Sequence, residues 1–202
     1  MVELTEQEKL HGPAYENVQE SNIVPAGRCD VLVAAGEAEV TERGYRIALT
    51  MEIKSHSAGD EYKNRLLWPY LPFSGEAFKR GGANTQRAMA QAGLDYISSL
   101  FDRTHPDWDE AAEKPQLDFS TDNGWLKMMK FYLTGALTDD AGKEFICSNG
   151  GLLNKSLQVK VGKPRKAKDG PYAGIESTGW INILGPGQES AGQVASSDPF
   201  SG

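Results

Sequence analysis

The sequence predicts a mainly β domain with a helical insertion, and three observations carry that prediction. Residues Tyr45 to Ser55 alternate strictly, with Ile47, Leu49, Met51 and Ile53 on one face and Arg46, Ala48, Thr50, Glu52 and Lys54 on the other. Apolar residues recur at helical spacing from Asn84 to Phe101 and again from Trp125 to Leu133. Alternation then returns at Leu157, Val159 and Val161 and at Trp180 to Ile183. A half-buried strand has a period of two, whereas an amphipathic helix repeats its apolar positions at i, i+3, i+4 and i+7.

Taken in order, residues 1–24 show neither period and read as an arm packed loosely on the domain. Cys29, Val31, Val33 and Ala35, interleaved with Leu32 and Ala34, predict a largely buried first strand. The charged turn Glu42-Arg43-Gly44 leads into the strictly alternating second strand, one face core and one face wet. After the turn at Ser57 to Asp60, Arg65 to Leu71 reads as a third strand, completing a meander. Pro69 cannot donate to a sheet ladder, so this strand is expected at an edge or bulged there. Asn84 or Thr85 is the expected N-cap of the first helix, and Gly93 is expected to split it from a second. Trp125, Met128, Met129, Tyr132 and Leu133 predict a further helix. A fourth strand at Leu157 to Val161, a basic loop from Pro164 to Tyr172 and a fifth strand at Trp180 to Ile183 complete the domain. Five strands with helices between the third and fourth is the order of an OB-fold barrel. The domain is thus expected over 25–184 with its helical insertion about 76–135. The Gly, Ser, Pro and Gln-rich stretch 185–202 cannot bury a core and is expected to be disordered.

The formal net charge of -7 is unevenly spread along the 202 residues. Acids crowd residues 1–20 and 102–122. Between 155 and 170, Lys155, Lys160, Lys163, Arg165, Lys166 and Lys168 face only Asp169. Such a local cationic cluster attracts phosphate whatever the overall sum. Only Cys29 and Cys147 are present, too few for a disulfide framework and unpaired in any Cys-x-x-Cys motif, which fits a reducing cytoplasm. No apolar run approaches a membrane span, so no membrane association is expected.

Three segments carry a resemblance: Val24-Pro25-Ala26-Gly27 opening the first strand, Gly59-Asp60-Glu61-Tyr62-Lys63-Asn64-Arg65 before an aromatic strand, and Leu153 to Val161 late in the chain. From about Ile23 to Leu184 the chain resembles the phage-encoded OB-fold single-stranded DNA-binding proteins found beside replication and recombination genes. That resemblance implies single-strand binding without sequence specificity, a role in replication, recombination or repair, and residence in the bacterial host cytoplasm. A homo-oligomer is compatible with it. The tail segment Asp198-Pro199-Phe200 looks like the acidic tip through which bacterial single-stranded DNA-binding proteins dock replication or recombination partners. It departs from that pattern, since only one acid precedes Pro199 and two residues follow Phe200.

A single strand is held by cations along its phosphates and by aromatic rings against its bases. The candidate DNA-binding residues are Trp68, Tyr70 and Phe73 for stacking and Lys63 and Arg65 just before them. Arg46 and Lys54 stand on the wet face of the second strand, and Lys160, Lys163, Arg165, Lys166, Lys168 and Tyr172 lie in or beside the basic loop. Trp68 and Tyr70 are equally readable as core residues, and the loop lysines as a solvated connection. An enzymatic alternative rests on Asp30 with Glu52-Ile53-Lys54, the acid and Glu-x-Lys form of a metal-dependent nuclease. A protein-binding adaptor of recombination is a third class. The balance of these features favours a binding protein over an enzyme. Gly81-Gly82-Ala83 and Gly150-Gly151 lack a phosphate-loop form, and His11, His56 and His105, read as surface residues, lack metal-ligand spacing. No cofactor or metal is therefore expected.

Overall fold

Two long antiparallel strands, β1 (Gly27–Thr41) and β2 (Gly44–His56), carry the architecture. In the computed structural model, which describes residues 23–166, 168 and 174–184, β2 buries Ile47, Leu49, Met51 and Ile53 as its alternation requires. β1 is longer and more irregular than the sequence predicts. Only Cys29, Val31 and Val33 of its first half are buried, while Ala34 and Ala35 are exposed. The register against β2 slips between Asp30 and Val31 and again between Val33 and Ala35. An extra residue in one strand bends it and steepens its twist. These slips reset the alternation, so small residues that look interior in the sequence end up outside.

The third strand is broken in two, β3 (Leu66–Leu67) and β4 (Tyr70–Pro72), both antiparallel to β2. The break falls at Trp68-Pro69. The Pro69 carbonyl still accepts from the Leu49 amide at 3.0 Å, and the strand sits at the sheet edge, as the proline demands. On the other side of β1 lies β7 (Ser156–Val161), followed by β10 (Ile181–Ile183). The spatial order is β10-β7-β1-β2-β3/β4, a strongly curled antiparallel half-barrel.

Three helices contribute to the core on the buried side of the sheet: α1 (Gly75–Gln91), α2 (Asp95–Phe101) and α3 (Asp122–Thr134). Met128, Met129, Phe131, Tyr132 and Leu133 of α3 are buried on this side. Gly36 of β1 makes room there, since a Cβ on it would lie 2.5 Å from the Leu133 side chain. α1 bridges the two open edges of the half-barrel. Thr85 Oγ1 donates to the Pro72 carbonyl at 2.8 Å, and the Asn84 amide donates to Ile181 O and accepts from Ile183 N, both at 3.2 Å. This helix begins after Ser74, ten residues before the predicted cap. The glycine pair disguises its first turns in the sequence. A Cβ at Gly81 would meet the Pro72 ring at 2.9 Å, so that glycine permits close helix-strand packing and does not mark a loop. Gly93, at φ 68°, separates α1 from α2 as expected.

Two small strand pairs escape the periodicity reading: β5 (Ala136–Thr138) with β6 (Glu144–Ile146), and β8 (Arg165–Lys166), at the start of the basic loop, with β9 (Glu176–Ser177) beyond its end. Val24, assigned by sequence to the loose arm, is fully buried and its amide donates to Thr178 Oγ1 at 3.0 Å. His56 is also buried, 7% exposed, with Nε2 3.2 Å from the Pro25 carbonyl, so it is not the surface residue its polar neighbours imply. Residues 1–22 of the arm, Tyr172, and the tail with Asp198, Pro199 and Phe200 lie outside the described residues. Among the described residues no helix is long and apolar enough to cross a membrane.

Candidate nucleic-acid interface

Alternation along the broken third strand sends Leu67, Pro69 and Leu71 inward. Leu66, Trp68 and Tyr70 are thereby left on the outer face at 39%, 58% and 52% exposure. The neighbouring strands present small residues to these rings. Ala35 and Gly36 of β1 and Ala48 and Thr50 of β2, with Glu37, line a shallow cleft of about 330 Å³ whose wall is Trp68 and Tyr70. Trp68 and Tyr70 thus present exposed ring surface beside a floor that includes Ala48 and Thr50.

The cations near this cleft are already engaged. Arg46 lies over the Tyr70 ring, 3.9 Å from its centroid, and its Nε is 2.6 Å from Glu39 Oε2. Lys54 pairs with Glu52 at 2.6 Å and Lys63 with Asp60 at 2.9 Å. Arg65 reaches the Ile23 carbonyl at 3.4 Å and covers the Tyr62 ring at 4.9 Å. Of the sequence candidates in this region, Phe73 is misplaced. Phe73 has the parity of Leu67, Pro69 and Leu71, and its amide still donates to the Tyr45 carbonyl at 2.8 Å, so its ring packs half-buried on the core, 5.3 Å from Tyr132. Tyr132 itself is buried, which pushes its phenol up to about 12.

The basic loop presents the opposite situation. Lys160, Lys163, Arg165, Lys166 and Lys168 are exposed. None forms an ion pair with a described carboxylate. Lys160 stands directly between Arg28 of β1 and Asn182 of β10 in the strand register. The Arg165 guanidinium lies 4.5 Å from the centroid of Trp180, which is 65% exposed. Trp180 is absent from the sequence candidates because its periodicity reads only as part of a strand. Its parity with exposed Asn182, opposite to Ile181 and Ile183, is the signal that could have found it.

No protein-family model matches this chain, and no curated protein is significantly similar to it.

A second outer-face hollow of about 290 Å³ is lined by Arg28, Cys29, Asp30, Ser55, His56 and Gln158, among others. Burial and then the Asp30 charge push the Cys29 thiol up to about 11, so it stays protonated and unreactive near neutral pH. Asp30, one of the acids of the nuclease alternative, accepts from Ser55 Oγ at 2.6 Å, and Glu52 is tied to Lys54. Asp30 lies level with Ser55 and Glu52 with Leu32. Among the described residues no three His, Cys, Asp or Glu side chains converge to hold a metal ion.

Proposed function

We propose that the protein is an OB-fold that binds single-stranded DNA, in the manner of the phage replication and recombination proteins its sequence resembles. The observation carrying this reading is the outer-face cleft, where Trp68 and Tyr70 are each more than half exposed above Ala48 and Thr50. Stacking on an aromatic ring contributes about 1–3 kcal/mol per base and requires unpaired bases, because a duplex hides its base faces. The strand order supports the assignment. An OB-fold arranges its five strands cyclically as first, second, third, fifth and fourth, and this sheet has that order with α1 in the gap between third and fifth. The β8–β9 hairpin then corresponds to the connection between fourth and fifth strands, one of the two loops with which such folds hold oligonucleotides.

The two parts of the surface divide the work. Cations around the cleft are held by Glu39, Glu52 and Asp60 and add little net attraction, whereas the hairpin cations have no described carboxylate partner and are available to phosphate. Bases are expected in the cleft and the backbone along the hairpin.

The test is a titration of the full chain with a labelled mixed-sequence oligonucleotide, single-stranded or duplex, in Mg²⁺ and then EDTA. Preferential binding of the intact single strand in both buffers is expected. Equal affinity for duplex, or no binding at low salt, overturns the proposal. So does Mg²⁺-dependent degradation that Glu52→Ala abolishes.

A further inference from the structure

Glu37 is out of place in a surface built to accept DNA. It lines the aromatic cleft, yet its carboxylate makes no hydrogen bond or ion pair with any described residue. Its two acidic neighbours on this face are both neutralised, Glu39 by Arg46 and Glu52 by Lys54, each at 2.6 Å. The strand register fixes where Glu37 stands. It is directly opposite Ala48, which is directly opposite Tyr70. The carboxylate and the ring therefore flank a single alanine, two strand spacings or roughly 10 Å apart at the backbone. Arg46 is level with Pro72 and covers Tyr70 from that side, so the open part of the cleft is toward Trp68, above Ala48 and Thr50.

We infer that Glu37 selects the base entering this cleft, favouring one that presents an exocyclic amino group, such as cytosine, over thymine. The inference rests on the single-strand reading above. A base lying flat between the aromatic wall and the small-residue floor turns one edge toward β1, where Glu37 can only accept hydrogen bonds. The cytosine N4 amino group donates to such an acceptor. Thymine offers one N3–H between two carbonyl oxygens, and those oxygens are repelled by the carboxylate. Stacking is nearly indifferent to base identity, so discrimination comes from this edge contact. The anion lowers the affinity for phosphate nearby, a cost that a selecting contact offsets only for the matching base.

The experiment compares labelled dC and dT homo-oligomers of equal length with the wild-type chain and with Glu37→Gln, at one fixed salt. Glutamine keeps the shape, removes the charge and both donates and accepts. Wild type is expected to bind dC about threefold to tenfold more tightly than dT, the worth of one charge-assisted hydrogen bond partly screened by solvent. In Glu37→Gln the ratio should fall to near one, chiefly through tighter dT binding, with thermal unfolding unchanged because Glu37 is exposed. A wild-type ratio near one, or a preference that survives the substitution, overturns the inference while leaving single-strand binding intact. Failure to bind either oligomer overturns both.

Discussion

Trp68 and Phe73 lie five residues apart in one aromatic segment, yet one stands outside and the other packs on the core. That difference decides what each substitution does. Trp68→Ala removes a ring that is 58% exposed, so the domain should unfold at the same temperature. Its affinity for single strands should fall by about 1–3 kcal/mol, the worth of one stacked base. Fluorescence titration beside a thermal melt checks both halves. Phe73→Ala should do the reverse, costing about 2 kcal/mol of stability in urea unfolding, less than a fully buried ring because Phe73 is only half-buried. That Leu66, Trp68 and Tyr70 share a face was legible from alternation. Which face is wet was not, because Leu66 and Leu67 are equally apolar and only the register against Met51 and Glu52 distinguishes them.

At the level of elements, α1 does what a sheet neighbour would otherwise do. An open antiparallel edge invites pairing with other chains, and here the Asn84 carboxamide occupies Ile181 O and Ile183 N as a further strand would. Gln91 likewise accepts from Gln158 N at 2.8 Å and donates to Gln158 O at 3.3 Å. Asn84→Ala leaves the Ile181 carbonyl and Ile183 amide without this partner. The Ile183 amide should then exchange its hydrogen faster, and stability should drop by about 1–3 kcal/mol; unchanged protection at Ile183 would show that water replaces the side chain at no cost. The strands and helices with strong periodicity were readable in advance, whereas the β5–β6 hairpin was not, since three-residue strands hold too few positions to show a period. Its turn is organised by Asp139, whose carboxylate accepts from the amides of Gln116, Lys143 and Ala141. The Gln116 amide first, then those of Lys143 and Ala141, hold this acid below the usual carboxylate range. A depressed folded-state value means the stabilisation is complete above the unfolded carboxylate value, near pH 4, and is lost as pH falls below it. Asp139→Asn should therefore lower the melting temperature at pH 7 and narrow the gap to wild type as the pH is taken toward 3.

Across the whole molecule, the net charge of -7 and the proposed affinity for a polyanion are reconciled by where the charges stand and whether they are paired. Long-range attraction depends on cations free to exchange a counterion for a phosphate. Arg46, Lys54 and Lys63 already have carboxylates at 2.6, 2.6 and 2.9 Å, so neutralising them exposes an acid and releases few counterions. Lys163, Arg165, Lys166 and Lys168 are exposed without such partners among the described residues, although Glu176 stands opposite Lys166 in the hairpin register. The salt dependence of binding should therefore reside in the hairpin. On a single strand, each cation that neutralises a phosphate adds about 0.7 to the steepness of log K against log salt. Replacing these four residues with Ala should thus flatten the slope by up to about 3, with the greatest weakening at low salt. Lys54→Ala should instead leave the slope nearly unchanged, because Lys54 is held by Glu52 and neutralises no phosphate, and should weaken binding only modestly through the freed Glu52 carboxylate, a repulsion that added salt screens. Affinities measured from about 50 to 300 mM salt, the range over which counterion release dominates, distinguish the two patterns. An unchanged slope in the fourfold variant removes the hairpin from the interface, and a flattened slope in Lys54→Ala moves the phosphate path onto the face of β2.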